Sequence, residues 1–184
     1  MTTFEYLAIA YSMLFSVTAL RLVGSLPHVF RRERRYGVHA ATVVLLIFGT
    51  VFNFWTFLGY RGIEWTFARF LGLLAVPGTL YFMASMLVPD DPNLIESWKE
   101  HYYHRRVHYY SGMIGWSVIA NVNTTFILGL PLTHPMRGVH LGLLAMGVCG
   151  LSSERTIVHK IIVGIAAVLL LAFALFNRLI WSLS

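Results

Sequence analysis

The sequence predicts an all-α membrane protein, a polytopic bundle of six transmembrane helices with one interfacial amphipathic helix. Three observations carry this reading. Apolar residues make up 57% of the 184 residues and charged residues 12%, a balance unlike that of ordinary soluble domains. The apolar residues gather into six blocks, and roughly 20 residues suffice to cross a hydrocarbon core of about 30 Å. The basic residues are sorted along those blocks. Arg31, Arg32, Arg34, Arg35, Lys99, Arg105, Arg106, Arg155 and Lys160 follow the first, third and fifth, while Arg61 and Arg137 alone follow the second and fourth. The positive-inside rule then places both termini outside, which in a bacterial inner membrane is the periplasm.

The first span runs from about Phe4 to Phe30, with Gly24 and Pro27 positioned to bend its inner end. Its start lacks the positive n-region of a signal peptide, so the block is expected to be a retained helix. The second span is about Val38–Tyr60. The third, about Trp65–Val88, contains Pro77-Gly78, whose freed backbone groups need neighbouring helices or water. Asp91 followed by Pro92 reads as an N-cap and first helical position. The segment Asn93–Tyr110 then reads as an amphipathic helix in the headgroup region, with Ile95, Trp98, Tyr102 and Tyr109 on one face. The fourth span, about Ser111–Leu130, follows a turn. The fifth, about Gly138–Ser152, is short, and its Gly138/Gly142 pair predicts close helix approach. The sixth, about Thr156–Trp181, is apolar from Ile161 to Phe176 and reads as peripheral and lipid-facing. Trp65, Trp98 and Trp181 fit an aromatic belt. Together these spans leave one membrane domain over residues 1–184. An inverted repeat of two three-span halves is a further possibility, although the halves show no convincing sequence match.

Polar groups inside the spans fall on seams. In span two, His39, Thr42, Leu46, Gly49, Asn53, Thr56 and Tyr60 alternate spacings of three and four residues. Span one has Tyr11, Leu14, Thr18, Arg21, Ser25 and His28, and span four has Ser117, Asn121 and Thr124. Hydrocarbon cannot satisfy these groups, so they should face protein or water. Thr18, Arg21, Thr42, Asn53, Asn121 and Thr124 are therefore the candidates for a polar or ligand-lining interior. Interhelical packing by the same residues is the alternative. Arg21 lies about 15 Å along the helix before the Arg31 cluster, with no acidic residue deep in a span to meet it. A carbonyl, an amide, a lipid phosphate or a bound anion is its expected partner, near Gly49 and Asn121. Arg31, Arg32, Arg34, Arg35, Arg105 and Arg106 are candidates for contact with lipid headgroups.

His101, His104 and His108 are spaced to share a helix face and are candidate metal ligands, with a surface role as the alternative. His28 and His39 are a candidate bis-histidine haem pair. No nucleophile elbow, glycine-rich phosphate loop or HExxH motif is present. The net charge of +6 sits between apolar blocks, which points to membrane lipids rather than nucleic acid. The single Cys149 cannot form an intrachain disulfide.

Several fragments resemble those of a group of small bacterial multi-span proteins of unknown function. They are Glu5-Tyr6-Leu7 with Tyr11-Ser12, Leu20-Arg21-Leu22, Asn53-Phe54-Trp55, Trp65-Thr66-Phe67, and Pro89-Asp90 before the stretch ending Tyr109-Tyr110. The resemblance covers roughly the first 110 residues. It implies a bacterial inner-membrane protein and supplies no activity, cofactor or site residue.

Three functions remain open on these readings. One is a small channel or transporter with a polar path through spans one, two and four. Another is a non-catalytic subunit or scaffold that binds lipid, a membrane partner or further copies of itself. The third is a metal or haem protein at the inner face.

Overall fold

A computed structural model describes the backbone of residues 3–182 and the side chains of residues 3–175. Its regular elements are all helical: α1 (Thr3–Val29), α2 (Gly37–Thr56), α3 (Phe67–Leu87), α4 (Trp98–Phe126), α5 (Pro135–Ser152) and α6 (Thr156–Ser182), with short 3-10 turns at Phe57–Tyr60 and Pro92–Leu94. Four helical stretches are long and apolar enough to cross a membrane: Thr3–Val29, Gly37–Tyr60, Phe67–Leu94 and Thr156–Leu175. This is a helical bundle suited to a membrane, but the six apolar crossings expected from the sequence reduce to four by that measure. The remaining two helices fall short for different reasons. The first turns of α4 carry Lys99, Glu100, Arg105 and Arg106 and its later turns Ser111, Ser117, Asn121, Asn123, Thr124 and Thr125, and α5 has 18 residues that include Arg137 and His140.

The helices close into a ring. α2 touches α3, α3 touches α4, α4 touches α5, α5 touches α6, and α6 returns to α2. α1 packs outside the ring against α2 and α3. The outward faces are hydrocarbon. On α6, Ile157, Ile161, Ile165, Val168, Leu171 and Leu175 are exposed at helical spacing. Ile9, Met13 and Leu20 do the same on α1.

The expected break between an interfacial helix and a fourth span does not occur. α4 runs unbroken for 29 residues from Trp98 to Phe126, because no proline interrupts it. Asp91 caps the 3-10 turn instead, accepting from the Asn93 N–H. Ser97 caps α4, accepting from the Glu100 N–H at 3.3 Å. The face of Trp98, Tyr102 and Tyr109 is buried in the bundle rather than laid on headgroups, and Trp98 is 1% exposed.

Close helix approach occurs at glycines other than the expected pair. A Cβ at Gly138 would meet nothing, and one at Gly142 would make ordinary contact with Leu169. A Cβ at Gly150 would lie 2.3 Å from the Tyr110 ring, and one at Gly147 2.7 Å from Ile114. Those two glycines let α5 seat on α4. Across the α3–α4 contact, Gly72 admits Asn123, whose amide donates to the Gly72 carbonyl at 2.8 Å.

Candidate functional site: an apolar cavity above a hydrogen-bonded plug

One end of the bundle carries the Arg31–Arg35 loop, the start of α4 and the α5–α6 turn, and is termed the basic end. There α3 stops inside the protein, which leaves the last carbonyls of a helix without intrahelical partners. Side chains from three different helices satisfy them. His101 from α4 hydrogen-bonds the Met86 carbonyl at 3.2 Å, and His39 from α2 bonds the Leu87 carbonyl at 3.0 Å. Arg21 from α1 donates through Nε and Nη2 to the Val88 carbonyl at 2.9 and 2.8 Å. Nη1 of Arg21 pairs with Asp90 at 2.7 Å. Cationic and hydrogen-bonding groups at a helix C-terminus are favoured by its dipole. His39 also stacks on Trp98, with ring centroids 4.6 Å apart. The Trp98 indole donates to the His28 carbonyl at 3.0 Å. Burial holds the His101 pKa below the ordinary histidine value.

Beside this cap lies a second network. The hydroxyls of Tyr102 and Tyr110 are 2.8 Å apart, and both reach Nδ1 of His159, at 3.2 and 3.0 Å. Nε2 of His159 sits 2.9 Å from the Ser153 carbonyl. A carbonyl can only accept, so Nε2 carries the proton and Nδ1 accepts from a tyrosine. The chain of bonds therefore ends on backbone and holds α4 against α6. Tyr36, Tyr103 and Thr156 form a separate set of hydroxyl contacts at 3.1 and 3.0 Å, and the Tyr103 ring meets those of Tyr102 and His159 edge to face. Burial pushes the Tyr36 phenol up to about 12.

Above this plug the ring is hollow. A cavity of about 580 Å³ extends from Thr42, Met83 and Tyr110 to Gly59, Leu130 and His134 at the opposite end. Leu46, Phe52, Leu80, Met113, Leu143 and Phe173 are among the apolar side chains of its wall. All five ring helices contribute, whereas α1 supplies Tyr11.

The cavity gathers some of the sequence-derived candidates and leaves others out. Thr42, Asn53 and Thr124 line it. Each donates to its own helix, with bonds to the carbonyls of Val38, Gly49 and Ala120. Thr18 is buried away from it and bonds the Leu14 carbonyl. Asn121 donates to the Ser117 carbonyl. Arg21 is not beside Gly49 and Asn121 but is held at Val88 and Asp90. Asp90 was not legible as its partner because it lies in the loop after α3, which folds back along α1.

Among the candidates for headgroup contact, Arg31, Arg32, Arg35 and Arg105 are exposed. Arg34 donates to the Asn93 and Ile95 carbonyls. Arg106 is buried and pairs with Glu154 at 3.1 Å, so it faces the α5–α6 turn rather than a headgroup. Of the histidine triplet, His101 is committed to the α3 cap while His104 and His108 are exposed. No three His, Cys, Asp or Glu side chains converge on a metal-sized point among the described residues. In the proposed haem pair, His39 is engaged by Leu87 and Trp98.

Two residues that the sequence reading passed over stand in the cavity wall, Trp116 and His140. Their rings meet edge to face with centroids 5.5 Å apart. Trp116 Nε1 and His140 Nδ1 are enclosed and lack hydrogen-bond partners. A signal was available, since Met136, His140, Leu143 and Gly147 are spaced 4, 3 and 4 along α5.

Neither known protein families, nor curated proteins, nor solved structures show a match to this chain.

Proposed function

We propose that this protein binds an aliphatic or amphiphilic small molecule of the lipid class inside the ring of α2–α6, as a non-catalytic membrane subunit. The observation that carries the reading is the cavity: about 580 Å³ of space walled mainly by hydrocarbon. That volume lies within the ~300–1,000 Å³ typical of small-molecule sites. The channel reading draws less support. A water column needs a continuous polar lining, whereas this wall is mainly hydrocarbon and Thr42, Asn53 and Thr124 each turn a donor back to their own helix. The packed tyrosine–histidine network also stands across the basic end of the ring.

The same proposal places the chain in a bacterial inner membrane with the basic end toward the cytoplasm and both termini outside. The distribution of Arg and Lys over alternate loops supports that orientation. It also has α4 and α5 complete six crossings, their polar positions turned to the ring rather than to lipid.

Protein purified in mild detergent and extracted for small molecules tests the reading. An aliphatic compound is expected to co-purify near one per chain and to be lost from Ala166→Phe, which places a ring in the cavity. The reading fails if no such molecule is retained after reconstitution in lipid while the same protein conducts solutes in liposomes.

A further inference from the structure

We infer that His140 and Trp116 form the polar anchor of the cavity and take the oxygen-bearing end of an aliphatic chain, a carboxyl, hydroxyl or carbonyl group. This rests on the cavity being a ligand site and names the chemistry it selects.

His140 is 6% exposed, and its Nδ1 and the indole Nε1 of Trp116 are shut away from solvent without partners. Most buried polar side-chain atoms in native proteins have a partner, so two such atoms on adjoining rings need an explanation. Among the described residues three other buried atoms, His39 Nδ1 and Nε and Nη1 of Arg106, also lack partners, but neither residue lines the cavity. Other polar side chains of the spans bond their own helix, as for Thr42, Thr50 and Thr124. Trp116 can only donate, so its complement is an acceptor oxygen. A neutral His140 offers a donor and an acceptor nitrogen, which a hydroxyl or protonated carboxyl can meet from either side. Most of the rest of the wall is hydrocarbon.

The neighbouring cation does not compete for this role. Arg137 lies three residues before His140, one turn away, but it does not line the cavity, and three of its five N–H groups are already bonded. Nε and Nη2 donate to the Pro131 and Leu130 carbonyls at 3.0 and 2.7 Å, and Nη1 donates to Thr125 Oγ1 at 3.0 Å. It fastens the α4–α5 loop over the cavity end. Within the cavity wall, Trp116 and His140 are the residues whose buried nitrogens lack partners among the described residues.

Two photoactivatable probes of equal length test this on the full chain in lipid nanodiscs. One is palmitic acid with a diazirine and an alkyne in its chain. The other is the corresponding hydrocarbon without oxygen. Both are expected to label peptides facing the ring, the acid more strongly. His140→Phe and Trp116→Phe are each expected to weaken the acid about tenfold, the scale of one lost hydrogen bond, and to leave the hydrocarbon unchanged. Equal effects on both probes, or none, would overturn the anchor while leaving the cavity reading intact. Absence of ring labelling by either probe would sink the cavity reading and the anchor with it. The melting temperature of ligand-free protein is the second readout. Replacing an unpartnered buried imidazole by phenyl should leave it unchanged or raise it. A marked fall would assign His140 to packing and overturn the proposal.

Discussion

The two ends of the ring use polar groups differently, although each leaves some buried atoms without partners, His39 Nδ1 and two Arg106 nitrogens at the basic end among them. At the basic end, Arg21, His39 and His101 close the carbonyls of α3, and Tyr102, Tyr110 and His159 hold one another. At the other end Trp116 and His140 stand on a hollow with their enclosed nitrogens idle. The lesson is that burial of a polar side chain in a membrane bundle has two meanings. Where it bonds another helix, as His39 bonds Leu87, it fixes helix positions. Where a buried nitrogen lacks a partner beside an empty volume, as at Trp116 and His140, it is the proposed contact of a ligand.

Substitutions at the two ends should separate these meanings. The largest effect is expected for Trp98→Ala, which removes a fully buried indole, its bond to His28 and its stack on His39. A loss of about 3–5 kcal/mol is the usual cost of such a truncation, to be measured by reversible unfolding in mixed micelles. Gly150→Ala comes next. Its methyl group collides with the Tyr110 ring, and overpacking of this kind costs about 1–3 kcal/mol. Gly138→Ala is the matched control and should be silent in the same assay, because open space surrounds that position. Equal behaviour of the two glycine variants would break the distinction between seated and unseated faces of α5.

On the hollow side the sign should reverse. Ala166→Phe fills cavity space and is expected to stabilise the ligand-free protein by about 0.5–2 kcal/mol. A destabilisation as large as that of Trp98→Ala would mean that the cavity wall is as tightly determined as the plug. The smallest effect concerns pH. Burial lowers the His101 pKa from its ordinary 6.5, so below about 6.5 the unfolded chain binds a proton that the folded chain does not. His101 therefore contributes a loss of stability as pH falls from about 6.5 toward its folded value. Thermal melts at pH 7.5 and 5.5 should show a smaller difference in His101→Gln than in the parent.

Much of this architecture was readable from residues alone. Hydropathy located α1, α2, α3 and α6 to within a few residues, because long apolar runs leave little room for another reading. The seam of α2 also places Thr42 and Asn53 on the cavity. Three features stayed hidden for physical reasons. The join inside α4 was invisible because charge and hydropathy change near Tyr110 while the backbone has no cause to break. Arg21 seemed alone because its partners, Val88 and Asp90, follow the end of another helix. His140 looked unremarkable because a missing hydrogen bond is a property of packing, which no spacing rule encodes.

The capping of α3 also bears on how the chain is made. Its terminal carbonyls draw on α1 and α2, which precede it during synthesis, and on His101, which emerges afterwards. A nascent chain stopped before α4 would hold the Arg21 and His39 ties but lack the one at Met86. Seating of the third helix therefore waits on the fourth, and chains truncated near Leu94 are expected to be cleared by proteolysis sooner than chains carried through Phe126.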